Sequence, residues 1–241
     1  MFNQTYRLSP SEDLLLHAKE KYATILADPP WRFTNRTGKM APEHKRLSRY
    51  PTMSTEQIGE LPIPQLALPK SHLYLWVPNA LILEGMEIMK RWGFTYKTNL
   101  VWYKVRKDGG PDGRGVGFYF RNVTELVLFG VRGSMRTLPP GRREVNILLT
   151  RKREHSRKPD ELYDVIERCS PGPYLELFAR HSRARWHQWG NEIKNSGPLD
   201  HGRETPKSPP VEDLVQLTLM MEKVRSNEQY VFREKRSRLS K

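Results

Sequence analysis

Apolar residues fall into short unbroken blocks along most of this chain, separated by stretches in which they recur three and four positions apart. "KYATILAD", ending at Asp28, and "HLYLWVP", from His72 to Pro78, are continuous rather than alternating. That is the pattern of strands covered on both faces. "TYKTNLVWYK", "ELVLFGV" and "YLELFAR" read as further strands. "ALILEGMEIMKRWG" reads as a helix stopped by Gly93. "MSTEQIGEL" reads as a short helix, with Ser54 and Gln57 spaced as a capping box. In "KPDELYDVIERCSPG" Pro159 suits the first helical position, two acids follow it, and Pro171-Gly172 ends the helix. "LPPGRREVNILL" reads as a surface loop running into a strand. Strands alternating with helices predict an α/β fold with a mostly parallel sheet.

The pattern stops at residues 195–210, "NSGPLDHGRETPKSPP", whose Pro, Gly and Ser content marks a linker. Beyond it, residues 211–241 are basic, and Leu214, Leu217, Met221 and Val224 could share one helical face. The expected organisation is a domain over 1–194, a linker over 195–210 and a basic helical extension over 211–241.

The formal net charge of the 241 residues is +14, with the basic residues bunched at 32–49, 132–158, 180–185 and 233–241. Bunching of this kind points to a polyanion such as nucleic acid. One cysteine, Cys169, excludes a disulfide or a cysteine-based zinc site within the chain. His155 and His181 have no second ligand at metal spacing, so no metal is expected. No apolar run is long enough to span a bilayer, and residues 1–21 lack the features of a secretory signal. The expected setting is intracellular, cytoplasmic and nucleoid-associated if the source is bacterial or a phage.

The candidate chemistry lies in "ADPPWRF", residues 27–33. Two adjacent prolines fit neither a helix nor a central strand, so the segment is a stiff turn at the carboxyl end of the first strand. It is either a structural corner, with Asp28 capping and Trp31 in the core, or a reaction site. In open α/β sheets ligands sit outside the carboxyl ends of strands. There Asp28 and the Pro29 carbonyl could accept the two hydrogens of an exocyclic base amine, and Trp31 offers a face for stacking. Two fixed acceptors would aim the amine lone pair at an electrophile such as a methyl sulfonium. The turn alone does not separate adenine N6 from cytosine N4.

"ADPPW", "YPTMSTEQI", "LYLWV", "WGFTYKTNLVWYK", "RNVTELVLFGVRG", "HSRKPDELYDVIERCSPG", "ELFAR" and "WHQWGNE", spread over residues 22–193, resemble in order and spacing the DPPW-type adenine-N6 methyltransferases. That family includes the catalytic subunit of the eukaryotic messenger-RNA methyltransferase and bacterial and phage DNA methyltransferases. The resemblance implies a Rossmann-like sheet that binds S-adenosyl-L-methionine, with 1–194 as the methyltransferase domain. It implies that Asp28, Pro29, Pro30 and Trp31 form the catalytic turn and that Tyr50 lies in an active-site loop. It implies that Lys158 holds the methionine carboxylate with the helix N-terminus, that Glu176 accepts from the ribose hydroxyls, and that Arg180, Asn191 and Glu192 line the cofactor site. Two departures stand out. The stretch between Trp31 and Tyr50 is longer and more basic than in eukaryotic members, and "HSRAR" after Arg180 is shorter, leaving His181 and Ser182 without a role.

The expected substrate is adenine in DNA, with RNA as the alternative. The chain lacks the long N-terminal regions and zinc-finger cysteines of the eukaryotic RNA-modifying members. Lys45, Arg46 and Tyr119 are further substrate-contact candidates, although core packing suits Tyr119 equally. A homodimer or a partner subunit is possible. A non-catalytic scaffold is the rival reading, disfavoured because Asp28 to Trp31, Lys158 and Asn191 are all intact. "GRGVG" at 113–117 is followed by aromatic residues instead of a helix and reads as a mobile loop, not a phosphate cradle. Trp92, Trp102 and Trp189 are expected in the core.

Overall fold

The computed structural model describes residues 8–32, 52–113, 119–151 and 157–191. Seven strands form one sheet: β1 (Tyr22–Ala27), β2 (Ala67–Val77), β3 (Thr95–Val105), β4 (Thr124–Arg132), β5 (Ile147–Arg151), β6 (Tyr174–Leu177) and β7 (Trp186–Trp189). Their order is β5-β3-β4-β2-β1-β6-β7. Neighbours run parallel except where β4 meets β2 and β3. This is the mixed, mostly parallel α/β sheet of the Rossmann-like type that the sequence predicts.

The helices are α1 (Pro10–His17), α2 (Thr55–Gly59), α3 (Ile63–Leu66), α4 (Ile82–Arg91) and α5 (Glu161–Cys169). Alternation along the central strands divides the core in two. Ile25, Leu73, Leu75, Val77, Leu175 and Leu177 face one layer with Ile88 and Met89 of α4. Leu26, Tyr74, Trp76, Val127 and Tyr174 face the other with Leu162, Val165 and Ile166 of α5. Both faces of β1 are therefore dry, which is why its sequence is unbroken rather than alternating. Trp92, Trp102 and Trp189 are core residues, as expected.

Local signals account for the helix ends. Ser54 and Gln57 form the reciprocal capping box at α2. Gly93 follows α4 at φ +81°, where a side chain would be strained. α5 begins two residues later than Pro159 suggests: Asp160 takes the N-cap position, and the Leu162 amide bonds the Pro159 carbonyl at 3.2 Å. Two elements escaped the pattern. α1 is short and mostly exposed, but Ser9 and Glu12 cap it reciprocally, and its Asp13 accepts the indole N–H of Trp189 at 2.6 Å. β7, "WHQW", is too short for its periodicity to register. The linker and the 211–241 extension lie outside the described residues.

β1 is the strand at which the sheet's connectivity divides. The chain leaves it toward β2 on one side, while β6, its other neighbour, leads outward to β7. Open α/β sheets leave a crevice at such a switch point, here between the carboxyl ends of β1 and β6. The backbone there is tightly built. Phe178, just after β6, has φ +63°, a costly value for an aromatic residue. The Ala179 amide bonds the Trp189 carbonyl at 3.0 Å, drawing the two strand ends together. A Cβ on Gly190 would lie 2.3 Å from the Ala179 carbonyl oxygen and 2.7 Å from its amide nitrogen. The expected outcome for Gly190→Ala is therefore destabilisation by about 1–3 kcal/mol from overpacking against backbone, read as a lowered midpoint in thermal unfolding. An unchanged midpoint would show that the loops after β6 and β7 do not pack as described.

Candidate functional site

Asp28 continues the alternation of β1 by one residue, so it falls on the α5 side of the sheet, in line with Leu26. Lys158 enters from the segment just before α5. Its Nζ donates to both Asp28 carboxylate oxygens at 2.9 Å. The same ammonium lies 3.5 Å from Glu125 Oε2 at the start of β4 and 5.0 Å from the centre of the Trp76 ring. Glu125 in turn accepts from Lys104 of β3. Four charges of alternating sign thus run Lys104, Glu125, Lys158, Asp28 across the carboxyl edge of the sheet. Burial disfavours charge on Lys158, but Asp28 and Glu125 outweigh it, and its pKa is raised. Burial likewise pushes Glu125 up, and Lys158 and Lys104 bring it down below its ordinary value.

The turn itself is fixed by its backbone. The Trp31 amide bonds the Pro29 carbonyl at 2.8 Å. Met53 N–H bonds the Pro30 carbonyl at 2.9 Å, and Arg32 N–H bonds the Met53 carbonyl at 3.1 Å, so Met53 forms a bridge with Trp31. Both prolines sit where no ladder donor is required. The Pro29 carbonyl keeps a second lone pair for another donor. The stacking role expected of Trp31 does not fit this geometry. Its indole is 6% exposed, packs in the core and donates from Nε1 to the Trp76 carbonyl at 2.9 Å. Trp31 is the rivet of the turn, and a base has no access to its face here.

Glu176 lies on β6 between Leu26 of β1 and Gln188 of β7, on the same sheet face as Asp28. One carboxyl oxygen accepts the Tyr163 hydroxyl of α5 at 2.6 Å, while the other, Oε2, is buried and has no hydrogen-bond partner among the described residues. Desolvation is the main cause that pushes this carboxyl up to about 7; the Tyr163 hydroxyl and Arg183 pull it back, and Asp28 and Asp160 add to the rise. A half-buried acid with one buried oxygen left over, beside the crevice, is what a ligand hydroxyl donor would complete.

Of the other expected residues, Arg180 is half-buried after β6, near enough that its charge opposes that of Lys158. Asn191 is exposed at the end of the β7 loop. Tyr119 is 95% exposed, which removes the core-packing alternative. Lys45, Arg46, Tyr50 and Glu192 lie outside the described residues, as does most of "GRGVG". Within the basic run 180–185, Arg183 pairs with Asp160 and Arg185 with Glu167, so both already have acidic partners within the fold. Lys104, Glu125 and Tyr163 are the site residues that sequence reading missed. Each is an ordinary strand or helix position and gives no local sign that it faces Asp28 or Glu176.

The raised Glu176 pKa has a stability consequence. Below about pH 4.5 the carboxyl is protonated both folded and unfolded. Between there and about 7 the unfolded chain has lost the proton while the folded chain retains it, so this group's contribution to stability fades as pH rises through 7. Glu176→Gln, neutral at every pH, is expected to gain on the parent protein between pH 5 and pH 8, by roughly 2–4 °C for each kcal/mol recovered. Thermal scans of the ligand-free proteins measure this; a difference that stays constant with pH would contradict it.

Comparison with known proteins places the chain. The family model described as MT-A70 matches residues 22–192. The Type II methyltransferase M.MunI of Mycoplasma sp is 30% identical over 198 residues, covering 74% of this chain and 80% of that protein. The N(6)-adenosine-methyltransferase catalytic subunit METTL3 of Homo sapiens is 30% identical over 184 residues, 75% of this chain but 30% of that protein. The N(6)-adenosine-methyltransferase MT-A70-like protein of Drosophila melanogaster is 30% identical over 177 residues, 72% of this chain and 27% of that protein. The match thus covers less than a third of the animal relatives and most of the Mycoplasma one. The matched span runs from the first residue of β1 to just past Asn191, and on that span the chain belongs to the MT-A70 family.

Proposed function

We propose that this protein transfers a methyl group from S-adenosyl-L-methionine to the N6 amine of adenine in a polynucleotide, with DNA as the substrate. The observation that carries the reading is the meeting, on one sheet face at the β1–β6 crevice, of the Asp28–Lys158 pair and a half-buried Glu176 whose buried Oε2 has no partner among the described residues.

The residues present fit such a cofactor. Glu176 Oε2 suits a ribose hydroxyl, and Arg180 and Asn191 stand in the loops that border it. Lys158 brings a permanent positive charge for a carboxylate, although here it is also the cation that Asp28 holds. Asn191 is exposed, and its amide can both donate and accept. When bound, S-adenosyl-L-methionine supplies the electrophilic methyl carried on its sulfonium.

The chain's own residues would do the rest. An amine conjugated to a purine is planar and weakly nucleophilic. Asp28 and the second lone pair of the Pro29 carbonyl offer two acceptors on a backbone that Trp31 and Met53 lock in place, so the amine is held and its lone pair directed. Lys158 holds the Asp28 carboxylate in place as an acceptor, and Asp28 is the carboxylate at hand for the proton the amine gives up. Exposed Tyr119 is available to stack on a base, and the bunched basic residues suit the phosphate backbone. In duplex DNA the adenine must leave the stack first. The preference for DNA rests on the Type II methyltransferase, the relative whose length this chain nearly spans.

Offering labelled S-adenosyl-L-methionine with duplex DNA, single-stranded DNA and RNA of one sequence, then identifying the modified nucleoside by mass, tests the proposal. N6-methyladenine in DNA is expected. Label in RNA alone would overturn the substrate, label on cytosine would overturn the base, and cofactor binding without label would indicate a missing partner subunit. Failure to bind cofactor at all would favour the scaffold reading. Asp28→Ala is expected to lower turnover by a factor of about 10² or more, since it deletes an acceptor used in the transition state; near-normal turnover would remove the turn from the reaction. Lys158→Met is expected to weaken cofactor affinity and also to lower turnover at saturation, because it leaves Asp28 and Glu125 without their shared cation. An unaltered affinity would limit Lys158 to holding Asp28.

A further inference from the structure

A buried carboxyl that is to accept a hydrogen bond from a ligand hydroxyl faces two difficulties. It must be ionised, which burial opposes, and the correct oxygen must face the ligand. The surroundings of Glu176 address both. Tyr163 stands on α5, directly over β6, and its hydroxyl donates to Oε1 at 2.6 Å. Its ring is held from two sides: the Arg183 guanidinium lies 3.9 Å from the ring centroid, and the Trp186 ring meets it edge-on at 5.2 Å. Arg183 is in turn fixed by Asp160, 3.2 Å away, which also binds Arg157 at 2.9 Å. The charged groups that bear on the carboxyl are therefore Arg183 from the β6–β7 loop, Asp160 from the start of α5 and Asp28 from the end of β1.

We propose that Tyr163 is a positioning residue for this site: its hydroxyl occupies Glu176 Oε1, presents Oε2 to a vicinal diol such as a ribose, and couples diol binding to release of the carboxyl proton. The inference rests on the reading of the crevice as a nucleoside-cofactor site. Burial, the Glu176 carboxyl and Asp160 all push the Tyr163 phenol far up, outweighing Arg183, so it remains a hydrogen donor across the working range. A donor that never ionises favours the carboxylate over the acid. With Oε1 taken, the proton of the acid form is left to Oε2, which then becomes a donor and is a poorer acceptor for the diol. Binding of the diol to the ionised form releases that proton. Tyr163→Phe keeps the ring, its stacking against Arg183 and its packing, and deletes only the donor.

Calorimetry of the full chain with S-adenosylhomocysteine as the probe, from pH 6 to pH 8.5, tests this. Affinity of the parent protein is expected to rise with pH through about 7 and level off. Tyr163→Phe should bind roughly tenfold more weakly at pH 7, as expected for loss of a hydrogen bond to a charged group, with the gap closing toward the alkaline end. Glu176→Gln should show a flat profile. A Tyr163→Phe deficit of the same factor at every pH, or no deficit, overturns the proposal, since a packing role alone would not track the titration. The ligand-free proteins supply a second readout: in carbon-13 NMR of the carboxyls, Tyr163→Phe should move the Glu176 titration upward, and an unmoved titration also overturns the proposal. If the parent protein binds no S-adenosylhomocysteine at any pH, the cofactor reading is at fault, and the ligand-free titration still decides the role of Tyr163.

Discussion

The Lys158 ammonium is the point on which the crevice depends. It stands before α5, takes both oxygens of Asp28 at the end of β1, and reaches Glu125 at the start of β4. Three separately folded segments are tied by one cation, and each alone would be unstable in that position. Asp28 and Glu125 without Lys158 are two like charges on one sheet edge; Lys158 without them is an ammonium 22% exposed beside an indole. Taking one member away leaves an uncompensated charge in a partly dry place, which costs far more than an exposed ion pair contributes. The arrangement thus fixes the position of Asp28 at the end of β1, as the proposed reaction at a base amine requires.

Packing carries this constraint into the fold. Trp31 buries its indole under the turn and bonds Trp76, so Asp28 cannot swing with the loop. Gly190 lets the loop after β7 approach Ala179 at backbone contact, which closes the β6 side of the crevice. α5 lies over the sheet by its apolar face, so that Tyr163 on it reaches Glu176 and Lys158, in the segment leading into it, reaches Asp28. The two acids are consequently held from neighbouring positions of one segment, residues 158–163, and a shift of that segment would disturb both.

Much of this was legible in the sequence because it depends on local rules. Continuous apolar blocks marked the covered strands, a capping box marked α2, and two prolines after an acid marked the turn at the strand end. The resemblance of spaced motifs then supplied the family, which the comparison bears out. The errors and omissions arise where tertiary contacts decide. An indole in a turn looks equally suited to stacking and to core packing, and only the depth of Trp31 distinguishes them. Glu125 and Lys104 sit in strands as ordinary polar positions; the antiparallel pairing of β3 with β4 brings them together. Tyr163 is an aromatic on the buried side of a helix until β6 places an acid beneath it. α1 and β7 are too short to show a period, and Asp13 and Trp189 meet across 176 positions of sequence.

The central claim is that ligand chemistry is confined to the crevice between the carboxyl ends of β1 and β6. Hydrogen–deuterium exchange measured with and without S-adenosylhomocysteine tests it most directly. Slowed exchange is expected in residues 28–32, in 157–163 and in the loops that follow β6 and β7, with β3 and β5 unchanged. Protection centred on β3 and β5, with those four segments unaffected, would contradict it.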